Sequence, residues 1–123
     1  MNNIILKILK VFYRYNVACK NLGIINTLKI LKARFNKKEY LVKLETKLFG
    51  KIYWRSVVDY GVISHFFSPQ VTFNKINSNK KIIIDLGANI GIETLRFNYL
   101  FPSSKIISVE PDIENFKILE KNT

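Results

Sequence analysis

The sequence predicts an α/β chain: N-terminal helices and a β-hairpin lead into a strand–helix–strand–helix unit. Three observations predict it. Residues 82–85 form an apolar run ending in an acid, "IIID", followed at once by a Gly-containing turn, "LGANIG". Residues 105–109, "KIISV", form a second apolar run, and helical patterns follow both runs. Upstream the pattern differs: apolar residues recur first with a helical period and then with a strand period. The unit at 81–123 therefore reads as β–α–β–α, with parallel strands and a right-handed crossover.

The elements follow in chain order. Residues 3–19, "NIILKILKVFYRYNVAC", carry Ile4, Ile5, Ile8, Leu9, Phe12 and Tyr13 on one helical face and Lys7, Lys10 and Arg14 on the other. Asn2 or Asn3 suits the N-cap. Two readings stand for this helix: an in-plane, peripheral membrane contact, or a helix that covers an apolar surface of this chain or of a partner. Residues 21–35 read as a second helix, with Leu28, Leu31 and Phe35 sharing a face and Gly23 weakening its start. Together residues 1–38 form a basic helical lead-in.

Residues 39–80 form a hairpin and a short helix. "EYLVKLETKL" at 39–48 favours a strand, "FGK" at 49–51 a turn, and "IYWRS" at 52–56 a returning strand. "VVDYGVISHFF" at 57–67 suits a short helix, with Val58, Ile63 and Phe66 on one side; "SPQ" at 68–70 stops it. A polar connector, "NKINSNK", occupies 74–80. In the last segment, 81–123, the strand at 82–85 is expected to be buried on both faces, as in a parallel sheet. A helix spans about 90–100, "FPSS" at 101–104 breaks it, and the second strand leads to a helix at 112–121 opened by Asp112.

Composition narrows the function classes. A chain of 123 residues, 48% apolar, suits a single modest core. One Cys and one His argue against a disulfide framework and a structural zinc site. No apolar run is long enough to span a bilayer, and no signal-peptide pattern opens the chain. The expected compartment is reducing and cytoplasmic, with membrane contact only at the surface. The net charge is +11; the first 80 residues, where fifteen Lys/Arg face Glu39, Glu45 and Asp59, carry +12 and the rest −1. That suits an anionic surface; compositional drift is the plainer reading, since Lys outnumbers Arg sixteen to four. Nucleic-acid motifs are absent, and nucleic acid is not an expected partner.

The chemistry sits in Asp85-Leu86-Gly87-Ala88-Asn89-Ile90-Gly91, at the carboxyl end of the first strand of the Rossmann-like unit. Ligands of open α/β sheets bind at that edge. Gly87 permits a sharp turn and leaves space above it. Gly91 lets the helix start pack closely. Free N–H groups in the turn are expected to meet a carboxylate or phosphate, and Asp85 a cationic group such as an amine. Glu110 ends the second strand, where an acid accepts hydrogen bonds from a ribose diol. The combination suits a ligand with an amino-acid end and a ribose, as in S-adenosylmethionine. A dinucleotide loop would need glycines at 87, 89 and 92, where this chain has Gly87, Asn89 and Ile92. Taken singly, these residues also suit plain structural roles: a capping acid, turn glycines and an exposed strand end.

"IIIDLGANIGIETLRF" and "ISVEPDIENFKILEKN" resemble the FkbM family of S-adenosylmethionine-dependent methyltransferases, and "YWRSVVDYGVISHFF" is similar to that family's lead-in to its first Rossmann strand. The resemblance spans about residues 50–123; residues 1–49 match no motif. It implies a partial class I methyltransferase fold and methyl transfer to a hydroxyl of a sugar or natural-product acceptor. It also implies that Asp85, Gly87, Ala88, Asn89 and Gly91 line the methionine end of the cofactor and that Glu110 holds the ribose. Asp112 or Ile113 would flank the adenosine, and Asp59 would belong to the lead-in. The family's domain continues past the matched segment, so the chain is expected to be its N-terminal portion, inactive alone. No catalytic base is named; His65, the one histidine, lies in an apolar helix. The strand at 82–85 would lack a neighbour on one side, leaving an apolar edge for the hairpin or a partner chain to cover.

Overall fold

A computed structural model gives the architecture. It describes Asn16, Cys19 and residues 22–66 and 81–123. The amphipathic pattern at 3–19, apart from Asn16 and Cys19, lies outside the described residues, as do the stop at 68–70 and the connector at 74–80. The elements are α1 (Ile24–Phe35), β1 (Leu41–Thr46), β2 (Gly50–Arg55), α2 (Tyr60–Phe66), β3 (Ile82–Leu86), α3 (Ile92–Leu100), β4 (Lys105–Val109) and α4 (Ile113–Asn122). The class is mixed α/β, with two small sheets: β1–β2 antiparallel and β3–β4 parallel.

The hairpin organises the core. Its register pairs Val42 with Trp54 and Leu44 with Ile52, and all four side chains are buried on one face. Ile30 and Ala33 of α1, Ile63 and Phe66 of α2, and Ile118 of α4 join the same cluster. Ile90, Ile92 and Leu95, from the glycine loop and α3, complete it. The lead-in and the β–α–β–α unit thus share one core. Burying each Leu, Ile or Phe side chain contributes about 1.5–3 kcal/mol.

Two asparagines occupy the edges of this hairpin. Asn26, buried on α1, donates Nδ2 to the Glu45 carbonyl (2.6 Å) and accepts from the Glu45 N–H (3.4 Å). Asn122, buried on α4, donates Nδ2 to the Tyr53 carbonyl (2.9 Å) and accepts from the Tyr53 N–H (2.7 Å). Each amide supplies the donor and acceptor that a further strand would have supplied, so backbone groups on both outer edges are paired.

Leu28, Leu31 and Phe35 share a face of α1, and that face points outward, with Phe35 79% exposed. Asn26, Thr27, Ile30 and Ala33 are buried instead, because Asn26 finds the β1 edge and the Thr27 hydroxyl donates to the Gly23 carbonyl. Two sequence expectations change. The helix expected from residue 57 begins at Tyr60, and Val58 is exposed. Asp59 takes the turn before it: its carbonyl accepts from Ile63 N–H while its carboxylate is held by Arg55. Finally, β3 is not buried on both faces. Ile82, Ile84 and Leu86 are exposed, with Ile107 and Val109 of β4 on the same side. Among the described residues α3 packs on the other face only, and the hairpin pairs with itself rather than with β3.

Candidate binding site at the glycine loop

The site is built where β3 and β4 end. Their parallel register sets Asp85 beside Ser108 and Leu86 beside Val109, so the glycine loop and Glu110 leave the sheet side by side. The loop needs three left-handed residues in five: Gly87 at φ 74°, Asn89 at 50° and Gly91 at 80°. Glycine carries no penalty there, and asparagine is among the side chains that tolerate it best. A Cβ on Gly87 would meet no atom within 4 Å, so the space above it is open. A Cβ on Gly91 would lie 3.2 Å from both Leu119 and Thr123, so α4 approaches the loop as closely as a glycine allows. Asn122 adds a bond from its Nδ2 to the Ile90 carbonyl (2.7 Å).

Asp85 lies on the helix side of β3. Its carboxylate accepts from the Thr94 hydroxyl (2.6 Å), which lies 2.8 Å from the Ser108 hydroxyl. A hydroxyl has one proton, so with Thr94 donating to Asp85 the Ser108 hydroxyl donates to Thr94. This chain fixes the acid beneath the loop.

Four of the N–H groups expected to be free are paired within the fold. The Gly87 and Ala88 amides both donate to the Val109 carbonyl (2.9 and 3.0 Å), and Gly91 N–H donates to Ala88 (2.8 Å). Asn89 N–H donates to Glu110 Oε2 (2.7 Å). Pairing with β4 brings acceptors alongside the loop, so these four donors serve the fold. The loop also holds a buried side-chain atom without a partner: Asn89 Oδ1 receives no hydrogen bond.

Glu110 is bonded on both oxygens. Oε1 accepts from Asp112 N–H (3.0 Å) and from Asn115 Nδ2 (3.4 Å), and Oε2 from Asn89 N–H. The Asp112 amide, the largest influence, holds its carboxyl below the usual range with help from the Asn89 and Asn115 amides, while burial, second in size, and the Asp112 charge oppose them. Asp112 caps α4 by accepting from Asn115 N–H (2.8 Å), which makes it a helix cap; Ile113 is exposed.

Behind Asn115 stands an ion pair. Arg55 Nε and Nη2 donate to the two oxygens of Asp59 (2.9 and 2.8 Å), a two-pronged contact, and Asp59 is 1% exposed. Arg55 Nη2 also donates to Asn115 Oδ1. The bond to Asp59 raises the guanidinium pKa, so Arg55 stays charged.

The structure therefore brings Asp85, Gly87, Ala88, Asn89, Gly91 and Glu110 to one edge. It adds Thr94, Ser108, Arg55, Asn115 and Asn122, to which the sequence reading assigned no role. Arg55 ends a strand and Asp59 lies in the following turn, so their spacing of four is not a helical pairing signal, and the contacts of Asn115 and Asn122 to residues 53 and 55 carry no local pattern. His65 is exposed at the end of α2, and among the described residues no hydrogen bond or ion pair ties it to this edge. Among the described residues no cluster of His, Cys, Asp and Glu suits a metal, and no helix is long and apolar enough to cross a membrane. A separate open groove of about 350 Å³, lined by Leu48, Phe49, Leu95, Asn98, Tyr99 and Pro102, holds none of the candidate residues.

No family model, curated protein or solved structure matches the chain.

Proposed function

We propose that this chain carries the cofactor-binding first part of an FkbM-like methyltransferase, with S-adenosylmethionine as the ligand of the glycine loop. One observation carries the reading. Asp85 and Glu110 stand at the carboxyl ends of two paired parallel strands, beside the loop from β3 to α3, whose Gly87 opens onto free space. The acceptor groups fit such a ligand at three points: Asp85 suits an amine, the buried Asn89 Oδ1 lacks a donor, and Glu110 retains acceptor capacity. When bound, the cofactor supplies an electrophilic methyl group for an acceptor hydroxyl of a sugar or natural product. The residues described here bind and orient; none is placed to hold an acceptor or take its proton. Activity on this reading requires further strands, from a continuing chain or a partner chain.

The exposed apolar face of β3–β4 favours a second reading, a non-catalytic module whose sheet docks on a partner protein. An amide ¹H–¹⁵N titration of residues 1–123 with S-adenosylhomocysteine separates the two. Shifts centred on Gly87, Gly91 and Glu110 support cofactor binding. A dispersed spectrum that does not respond overturns it and leaves the docking module.

A further inference from the structure

We propose that Asn115 contacts the ribose of the ligand, and that Arg55 is the positioning residue that aims its amide. The proposal rests on the cofactor reading above. Arg55 can only donate hydrogen bonds, so the Asn115 atom facing it must be the oxygen. The amide orientation is thereby fixed, and its NH2 group points to Glu110. Arg55 is itself held by both oxygens of a buried carboxylate, Asp59. The aim of Asn115 is thus set from the hairpin, sixty residues earlier in the chain.

The state of Glu110 shows why a second group is needed. A carboxylate offers about four acceptor positions, and three are used: by Asp112 N–H, Asn89 N–H and Asn115 Nδ2. One position remains for a hydroxyl, whereas a ribose edge presents two. The bond from Asn115 is the longest of the three, at 3.4 Å, and is the one a hydroxyl displaces most readily. A hydroxyl entering there donates to Glu110 and accepts from Asn115, whose NH2 stays aimed by Arg55. The acid and the amide together form a donor–acceptor pair for a diol, which neither forms alone.

The test compares adenosine with 2′,3′-dideoxyadenosine by ¹H–¹⁵N titration of the full chain. Wild type should bind adenosine at least about tenfold more tightly. Asn115→Asp keeps an oxygen for Arg55 but removes the donor, and should shrink that ratio to about twofold or less. Arg55→Lys, which lacks the planar fork, should do the same, and Asn115→Ala serves if either variant folds poorly. The ratio is unaffected by a uniform loss of folded protein. A wild-type preference that survives in Asn115→Asp and Asn115→Ala overturns the role of Asn115 and leaves the cofactor reading standing. Equal binding of the two nucleosides by wild type, or none, overturns the ribose contact of Asn115, while the S-adenosylhomocysteine titration decides the cofactor reading.

Discussion

Asn122 and Tyr53, 69 residues apart, exchange two hydrogen bonds: the Asn122 amide accepts from the Tyr53 N–H and donates to the Tyr53 carbonyl. The same amide donates to the Ile90 carbonyl in the glycine loop. One side chain therefore ties the outer edge of the hairpin to the candidate site. Asn122→Ala would leave three backbone groups without it. At about 1–3 kcal/mol for a buried polar group left unpaired, with some recovery from water, a loss of about 3 kcal/mol is expected. Urea unfolding should show a lower midpoint with an unchanged slope. A loss under about 0.5 kcal/mol, the range of ordinary surface substitutions, would mean the clasp adds nothing to stability.

Local patterns made the glycine loop and its flanking acids legible. The strand, the turn at Gly87 and the capping Asp112 depend on residues close in sequence; the left-handed Asn89 was not among the expectations. The asparagine clasps were not legible, because a polar residue within a helical period reads as solvent-facing. Asn26 reverses that only because the β1 edge offers it a free backbone amide and carbonyl. For the same reason the apolar run at 82–85 misled. Its composition suits burial on both faces, but burial also requires a second layer, and among the described residues only α3 packs on β3.

The two loop glycines should differ in what they tolerate. Gly91→Ala meets both a φ of 80° and contacts at 3.2 Å to Leu119 and Thr123. Gly87→Ala meets the φ of 74° alone. The left-handed conformation costs about 1–2 kcal/mol for a residue with a Cβ, and crowding adds about 1–3 kcal/mol where packing cannot relax. Denaturant titration should therefore rank Gly91→Ala well below Gly87→Ala. Equal losses would place α4 farther from the loop than these contacts do.

Glu110 should make the loop acid-sensitive. Its folded pKa lies below the ordinary value of 4.5, because the Asp112 and Asn89 amides favour the charged form. A depressed acid contributes stability that is fully present above its unfolded pKa and is lost as pH falls through the folded one. The contribution is thus intact above about pH 4.5 and fades below it. Carboxyl ¹³C titration should place the Glu110 midpoint under 4.5, and Glu110→Gln should flatten the acid limb of the stability profile. Because adjacent hydrogen bonds cause the shift, high salt should change it little. A midpoint at or above 4.5 would contradict those bonds.

The outward face of β3–β4 leads to a prediction opposite to that for a buried sheet. Ile84 is 60% and Leu86 76% exposed, with Ile107 and Val109 beside them across the ladder. A lysine at Ile84 or Leu86 keeps its charge in water and removes little buried area, so unfolding free energy should change by under about 1 kcal/mol. In a sheet covered on both sides the same change would cost several times more. The apolar patch also invites association between chains. Sedimentation velocity should show wild-type chains associating as concentration rises, with Ile84→Lys and Leu86→Lys shifted towards monomer. If either lysine unfolds the chain, another layer covers this face in solution. If wild type remains monomeric at all concentrations, the face does not drive self-association.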